Sequence, residues 1–226
     1  MSRKQTHKHA QVPRSGVLVT NLGTPDAPTA SALRRYLGEF LWDPRVVRIP
    51  RPVWWLLLHG LVLRTRPPKS AHNYQTIWTP EGSPLLVNSQ RLTDRIKQQL
   101  TALCPGPVEV VLGMRYGNPS ISAGLETLRA AGCERVLVLP LYPQYSSATT
   151  ASTVDAVAAG IKMWMWVPEL RFITQYHDEP GYIGALTQQI KSFREQNGSS
   201  DLLVFSFHGM PKATLLDGDP YFCQCQ

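Results

Sequence analysis

Apolar residues follow two rhythms along this chain, and the rhythms alternate. Continuous apolar, β-branched runs occur at 16–22 (GVLVTNL), 108–114, 135–141 (RVLVLPL), 170–175 and 201–207 (DLLVFSF). Runs this short, closed by Gly, Pro or Asn, predict buried strands. Between them the spacing turns helical. Residues 29–41 place Leu33, Tyr36, Leu37 and Phe40 on one face, and 89–103 forms a clear amphipathic helix. Asn118-Pro119 reads as an N-cap with a first-turn proline, opening a helix to about residue 131. Further helices are predicted from the end of the loop 142–147 to about residue 163, and from Pro180 to the stop at Asn197-Gly198. A short apolar helix begins near Pro52. Residues 64–84, with Pro67, Pro68, Pro80 and Pro84, read as a long loop with at most a short helix.

Strands that are apolar on both faces and alternate with helices predict an α/β fold with doubly wound parallel sheets. Ligands of such folds bind beyond the carboxyl ends of the strands. Four segments occupy such ends: 21–25, 115–118, 142–150 and 208–211. They are expected to converge on one side.

Charge changes this picture locally. The net charge of +7 is concentrated in residues 1–15, which carry Arg3, Lys4, Lys8 and Arg14 and no acid; the rest of the chain has 19 basic against 16 acidic residues. Residues 1–15 read as a flexible tail. Residues 44–80 hold Arg45, Arg48, Arg51, Arg64, Arg66 and Lys69 without a single Asp or Glu, which suits an anionic partner. Trp54, Trp55, Tyr74 and Trp78 are interleaved with these cations. Because the aromatics cluster in an apolar run, a greasy ligand with acidic edges or a membrane surface fits better than nucleic acid. The run 53–63 (VWWLLLHGLVL) is about half the ~20 residues of a spanning helix, so it reads as a buried helix or a lip touching a membrane peripherally. Four scattered cysteines make no disulfide framework. With no apolar leader, a cytoplasmic protein, in part membrane-associated, is expected.

No dinucleotide fingerprint and no phosphate-binding P-loop is present. The hydroxyl-rich stretch 145–153 (YSSATTAST) leads into a helix N-terminus, which suits an anion; N-capping explains the same residues equally well. His208 follows a strand and precedes Gly-Met-Pro, at a cavity mouth. An imidazole there suits proton transfer or metal ligation, and a hydrogen-bonded structural role is equally consistent with the spacing. Arg115-Tyr116, at a strand end, offers a planar cation and an aromatic face to a flat anionic ligand; a buried salt bridge explains the Arg as well.

Seven blocks then coincide in order: VTNLGTP (19–25), FLWDPRVV (40–47), EGSPL (81–85), GMRYGNPSI (113–121), LPLYPQYSSATTAS (139–152), FSFHGMP (205–211) and GDPY (218–221). Together they closely resemble the ferrochelatase family, in its bacterial form. The resemblance implies two similar doubly wound lobes with a porphyrin cleft between them: a first lobe at 16–167, including a porphyrin-binding lip, and the beginning of a second at 168–226. It implies a lyase-class enzyme of haem biosynthesis that inserts Fe²⁺ into protoporphyrin IX. The iron enters as substrate, no cofactor is required, and nucleic acid has no part. His208 matches the active-site histidine, as proton acceptor, iron ligand or both. Arg66, Lys69 and Ser83 match positions near the propionates, and Arg115 and Tyr116 match the opposite wall. Asn21 and Leu22 match the first loop. Tyr145, Ser146, Thr149 and Thr150 match the signature loop lining the cleft.

The family continues for roughly a hundred residues where this chain stops. That part carries an acidic residue facing the histidine and, in some relatives, the cysteines of an iron–sulfur cluster. The chain is therefore expected to be C-terminally truncated, weak in iron insertion and prone to aggregate. Two other functions compete with this one: a cobalt chelatase, whose relatives lack the PQYSSATT block, and a non-catalytic tetrapyrrole or haem binder.

Overall fold

The computed structural model describes residues 14–226; the expected tail falls outside this range except for Arg14 and Ser15, which already belong to the first strand. Four strands form one parallel sheet: β1 (Arg14–Thr24), β2 (Val108–Gly117), β3 (Cys133–Pro140) and β4 (Glu169–Phe172), in the order β2-β1-β3-β4. The chain lays β2 on one side of β1 and β3 on the other, so the winding reverses at β1. Loops leaving β1 and β3 therefore part in opposite directions and open a crevice at their carboxyl ends.

Alternation along each strand divides the apolar residues between two faces. Leu18, Val136 and Val138 pack beneath α5 (Ile121–Ala130) and α6 (Ser152–Ile161), against Leu125, Leu128 and Val157. Val17, Val19, Val110 and Leu112 face the other way, toward Leu86, Ile96 and Leu100 of α4 (Pro84–Leu103). Helices on both faces confirm the α/β class.

A third cluster caps the carboxyl end of the sheet. Leu33, Tyr36 and Leu37 of α1 (Ala30–Trp42) pack with Tyr116 of β2 and with one long helical stretch. That stretch consists of α2 (Arg51–Leu57), a π-helical turn (Leu58–Val62) and α3 (Leu63–Ile77). The loop expected at 64–84 is thus largely helix. Pro67 and Pro68 remove two amide donors from α3, yet the helix holds because its buried stripe stays in phase. The stripe runs Trp54, Leu58, Leu63, Pro67, Ala71. Its single five-residue step coincides with the π turn, which absorbs the extra residue.

Three further expectations are corrected. The Asn118-Pro119 peptide is cis and precedes the helix; Ser120 is the cap, its hydroxyl accepting from the Ala123 N–H. The sheet runs through β4 to Phe172, so the lobe boundary expected at 167/168 falls inside it. Residues 201–207 form no strand, and Leu202, Val204 and Phe205 are exposed. A strand is stabilised by its neighbours rather than by its own composition, and among the described residues this segment has none. It follows α7 (Pro180–Asn197), which buries no residue, and leads to α8 (Lys212–Leu216) and α9 (Tyr221–Cys225).

Candidate active site

The first two strands each carry a glycine at their carboxyl ends, Gly23 opposite Tyr116 and Gly117 opposite Thr24. Gly23 has φ +108°, and a Cβ there would lie 1.8 Å from the Tyr116 carbonyl oxygen; Gly117 has φ +77°, and its Cβ would lie 2.6 Å from that of Thr24. Only glycine permits so close an approach, and it brings the ends of β1 and β2 together beneath the crevice. Asn21 is fixed there on both sides: its amide nitrogen donates to Ser89 Oγ (3.0 Å) and its Oδ1 accepts from the Leu22 N–H (2.8 Å). Leu22 packs on the α1–α3 cluster. Ser83, just before α4, is buried and accepts from the Thr24 hydroxyl at 2.8 Å.

Arg115 and Tyr116 do not form an open wall. Tyr116 is fully buried, and both side chains converge on Asp43 in the loop after α1. Asp43 Oδ2 accepts from Arg115 Nη2 (2.6 Å), the Tyr116 hydroxyl (2.8 Å) and Ser152 Oγ (2.6 Å), while Oδ1 accepts from the Arg45 N–H (2.7 Å). Arg45 in turn forms a bidentate pair with Asp155 of α6. The buried ion pair, considered as an alternative for Arg115, is therefore what the structure contains. Burial alone would raise the Asp43 pKa. Hydrogen bonds from Ser152, the Arg45 N–H and Tyr116, with the Arg115 charge, outweigh it and hold the carboxyl below its ordinary 3.8. Burial also pushes the Tyr116 phenol well above its usual range, so it stays a donor. The knot joins the 43–47 turn, the end of β2 and the start of α6, and so holds the crevice floor rigid.

The signature loop follows β3, on the far side of the crevice. Ser146 caps a π-helical turn (Ser147–Ala151) that runs directly into α6. The anion expected at this helix start is supplied by the chain itself. Asp219 Oδ2 accepts from the Ser146 hydroxyl (3.1 Å) and the Ser147 N–H (2.8 Å). The Tyr145 N–H donates to Gln224 Oε1 (2.7 Å), and the Thr149 hydroxyl to the Ser146 carbonyl (3.4 Å). Thr150 is fully buried with an unpartnered hydroxyl.

Arg66 and Lys69 occupy exposed positions of α3. Arg48 instead reaches Asp217 (2.6 Å) and Ser147 Oγ (3.4 Å). His208 is exposed and borders a cavity of about 620 Å³, lined also by Met210, Leu215, Tyr221 and Phe222. Its backbone N–H donates to the Tyr221 hydroxyl at 3.1 Å. Of the four strand-end segments, 21–25, 115–118 and 142–150 meet at the sheet's carboxyl edge, and 208–211 is tied to them through 219–221.

Asp43, Ser152 and Asp219 were missed as organising residues. The signal for Asp43 was its position immediately before the acid-free stretch 44–80; the sequence offers none for Asp219 beyond its place in a Gly-Asp-Pro turn.

Known proteins resemble this chain across its described length. The Ferrochelatase family model matches residues 14–226. The ferrochelatase of Thioalkalivibrio sulfidiphilus is 55% identical over 219 residues, covering 97% of this chain and 59% of the relative. That of Nitrosococcus oceani is 54% identical over 220 residues, covering 97% and 60%, and that of Alcanivorax borkumensis 53% over 218 residues, covering 96% and 64%. The chain thus spans about three-fifths of the length of these relatives. With a match across every described residue, at more than half identity, this chain belongs to the ferrochelatase family.

Proposed function

We propose that this chain supplies the lip, the crevice floor and the histidine-bearing wall of a protoporphyrin ferrochelatase, which inserts Fe²⁺ into protoporphyrin IX to give protohaem. The observation that carries this reading is the linkage of His208, through 219–221, to the signature loop at the β1/β3 crevice. Insertion requires a bent macrocycle, departure of two pyrrole protons and dehydration of the incoming iron. His208 accepts a pyrrole proton, ligates the iron, or does both in turn. Asn21, Leu22 and the loop carrying Tyr145, Ser146, Thr149 and Thr150 border the macrocycle. Arg66 and Lys69, exposed on α3, draw the propionates, and Ser83 fixes the hinge from which α4 departs. Arg115 and Tyr116 act from behind the surface, holding the floor through Asp43. Binding energy from the apolar plate and the propionates drives the bending. The relatives' remaining two-fifths provides the facing wall. The test is ferrous iron insertion by this chain joined to the C-terminal continuation of the T. sulfidiphilus ferrochelatase. Porphyrin binding without metallation would favour a non-catalytic tetrapyrrole binder instead.

The same lip serves as a peripheral membrane contact in this proposal. Val53, Trp55, Leu56 and Leu61 are exposed together, flanked by Arg51 and Arg64, and among the described residues no helix is long and apolar enough to cross a membrane. Such a surface suits an anionic bilayer. Trp55→Ser/Leu56→Ser/Leu61→Ser should lower co-sedimentation with phosphatidylglycerol vesicles at least fivefold. Equal sedimentation of parent and variant would refute the contact.

A further inference from the structure

Asp219 lies in the turn after α8, a short helix with no obvious chemistry of its own. Gly218, at φ +97°, reverses the chain there, and the Asp219 N–H returns to the Thr214 carbonyl at 3.0 Å. The reversal buries the Asp219 carboxylate, while its neighbour Asp217 stays exposed. A buried carboxylate needs donors on its oxygens, and the three that Asp219 receives come from two directions. Ser146 Oγ and the Ser147 N–H reach Oδ2 from the signature loop, and the Tyr221 N–H reaches Oδ1 at 3.0 Å. Tyr221 then accepts, on its hydroxyl, the backbone N–H of His208. The sequence of contacts runs signature loop, Asp219, Tyr221, His208.

Residues 201–207 lack strand pairing among the described residues, so the segment leading into His208 is held in register by no ladder. Among the described residues the Tyr221 hydroxyl anchors the His208 backbone, and Asp219 sets where that tyrosine starts. Burial raises the Tyr221 pKa, so its hydroxyl is kept as a neutral acceptor and donor. Arg48 to Asp217 and Ser147, and Gln224 to the Tyr145 N–H, hold the same two segments together from either side.

We infer that Asp219 is a positioning residue, which through Tyr221 holds the His208 turn at a fixed height over the signature loop. The inference rests on the ferrochelatase reading for its catalytic consequence but not for its geometry. A displacement of about 1 Å at a reacting group can lower a rate about a hundredfold. Its signature is therefore a fall in kcat with the porphyrin KM little changed.

The experiment uses two variants, Asp219→Asn, which weakens the acceptor, and Tyr221→Phe, which deletes only a hydroxyl. Amide exchange is read in the 226-residue chain by selective ¹⁵N-histidine labelling, with the His208 signal assigned from His208→Ala. Faster exchange at His208 is expected in both variants. In the joined protein, Asp219→Asn should lower kcat for iron insertion roughly tenfold and Tyr221→Phe roughly threefold, each with porphyrin KM within twofold. Unchanged His208 exchange in both variants overturns the inference by itself, as does a pure KM effect. If the parent inserts no iron, the ferrochelatase reading fails, and the exchange result still decides whether Asp219 positions His208.

Discussion

His208→Ala is expected to lower iron insertion at least a hundredfold in the joined protein, while porphyrin affinity stays within threefold. Removing one positioned acid–base group typically costs two to four orders of magnitude, and loss of an iron ligand acts in the same direction. Porphyrin affinity survives because it comes from elsewhere, from the apolar lip around Trp55 and the cations of α3. The imidazole is exposed on the turn after residue 207, so its removal leaves no cavity and no buried partner unsatisfied. Folding should be unaffected, which separates a chemical effect from a structural one. Porphyrin fluorescence quenching gives the affinity, and the appearance of the haem spectrum gives the rate. An alanine variant with parental turnover would remove His208 from the chemistry.

Asp43→Ala should act in the opposite way, on folding first. Among the described residues its carboxylate is the acceptor shared by Arg115, Tyr116 and Ser152, and its side chain is 3% exposed. Truncation takes the carboxylate acceptor from Arg115 Nη2 and from the Tyr116 and Ser152 hydroxyls, leaving Arg115 Nε on the Ser152 carbonyl (2.9 Å) and Tyr116 only Ser152 Oγ (3.1 Å). Removing one partner of a buried ion pair typically costs about 3–5 kcal/mol, a large share of a total stability of about 5–15 kcal/mol. For a chain of this size the melting temperature should fall by roughly 10 °C. The pH dependence follows from the direction of the Asp43 shift. Its folded-state pKa lies below the ordinary 3.8, so its stabilisation is fully present above that value and is lost as pH falls through the folded-state pKa. Asp43→Asn should therefore differ most from the parent at pH 7, and the difference should narrow below about pH 4. Urea unfolding at pH 7 and pH 3 checks both points; a constant difference, or none, would show that Asp43 is not the hub.

The sheet was legible because its strands are buried on both faces. In 16–22, 108–114 and 135–141 nearly every position is apolar or small, with Asn21, Glu109 and Arg135 near the ends, so no choice of register was needed to recognise them. The helix at 51–77 was legible at its start near Pro52, but its continuation to residue 77 was not, because two prolines outweighed a stripe whose spacing is broken once. Only the π turn at Leu58–Val62 restores the phase, and a scan for period 3.6 does not detect a five-residue step. The 201–207 run shows the converse: its composition is that of a buried strand, but pairing is a property of neighbours far away in sequence. In the site, the positions of Asn21 and the signature loop followed from strand ends, whereas Ser83 followed only from the family resemblance. What stayed hidden was where buried charge is neutralised. Arg115 could have met a ligand or a carboxylate, and the carboxylate lies 72 residues earlier in the chain. Asp219 is likewise recognisable only once Ser146 and Ser147 are seen on its oxygens.

The most direct test of the central claim is a titration of the joined protein with protoporphyrin IX, followed by anaerobic addition of ferrous iron. The account predicts saturable binding and then conversion of the porphyrin spectrum to that of haem over many turnovers. Binding that saturates but leaves the porphyrin metal-free would contradict it.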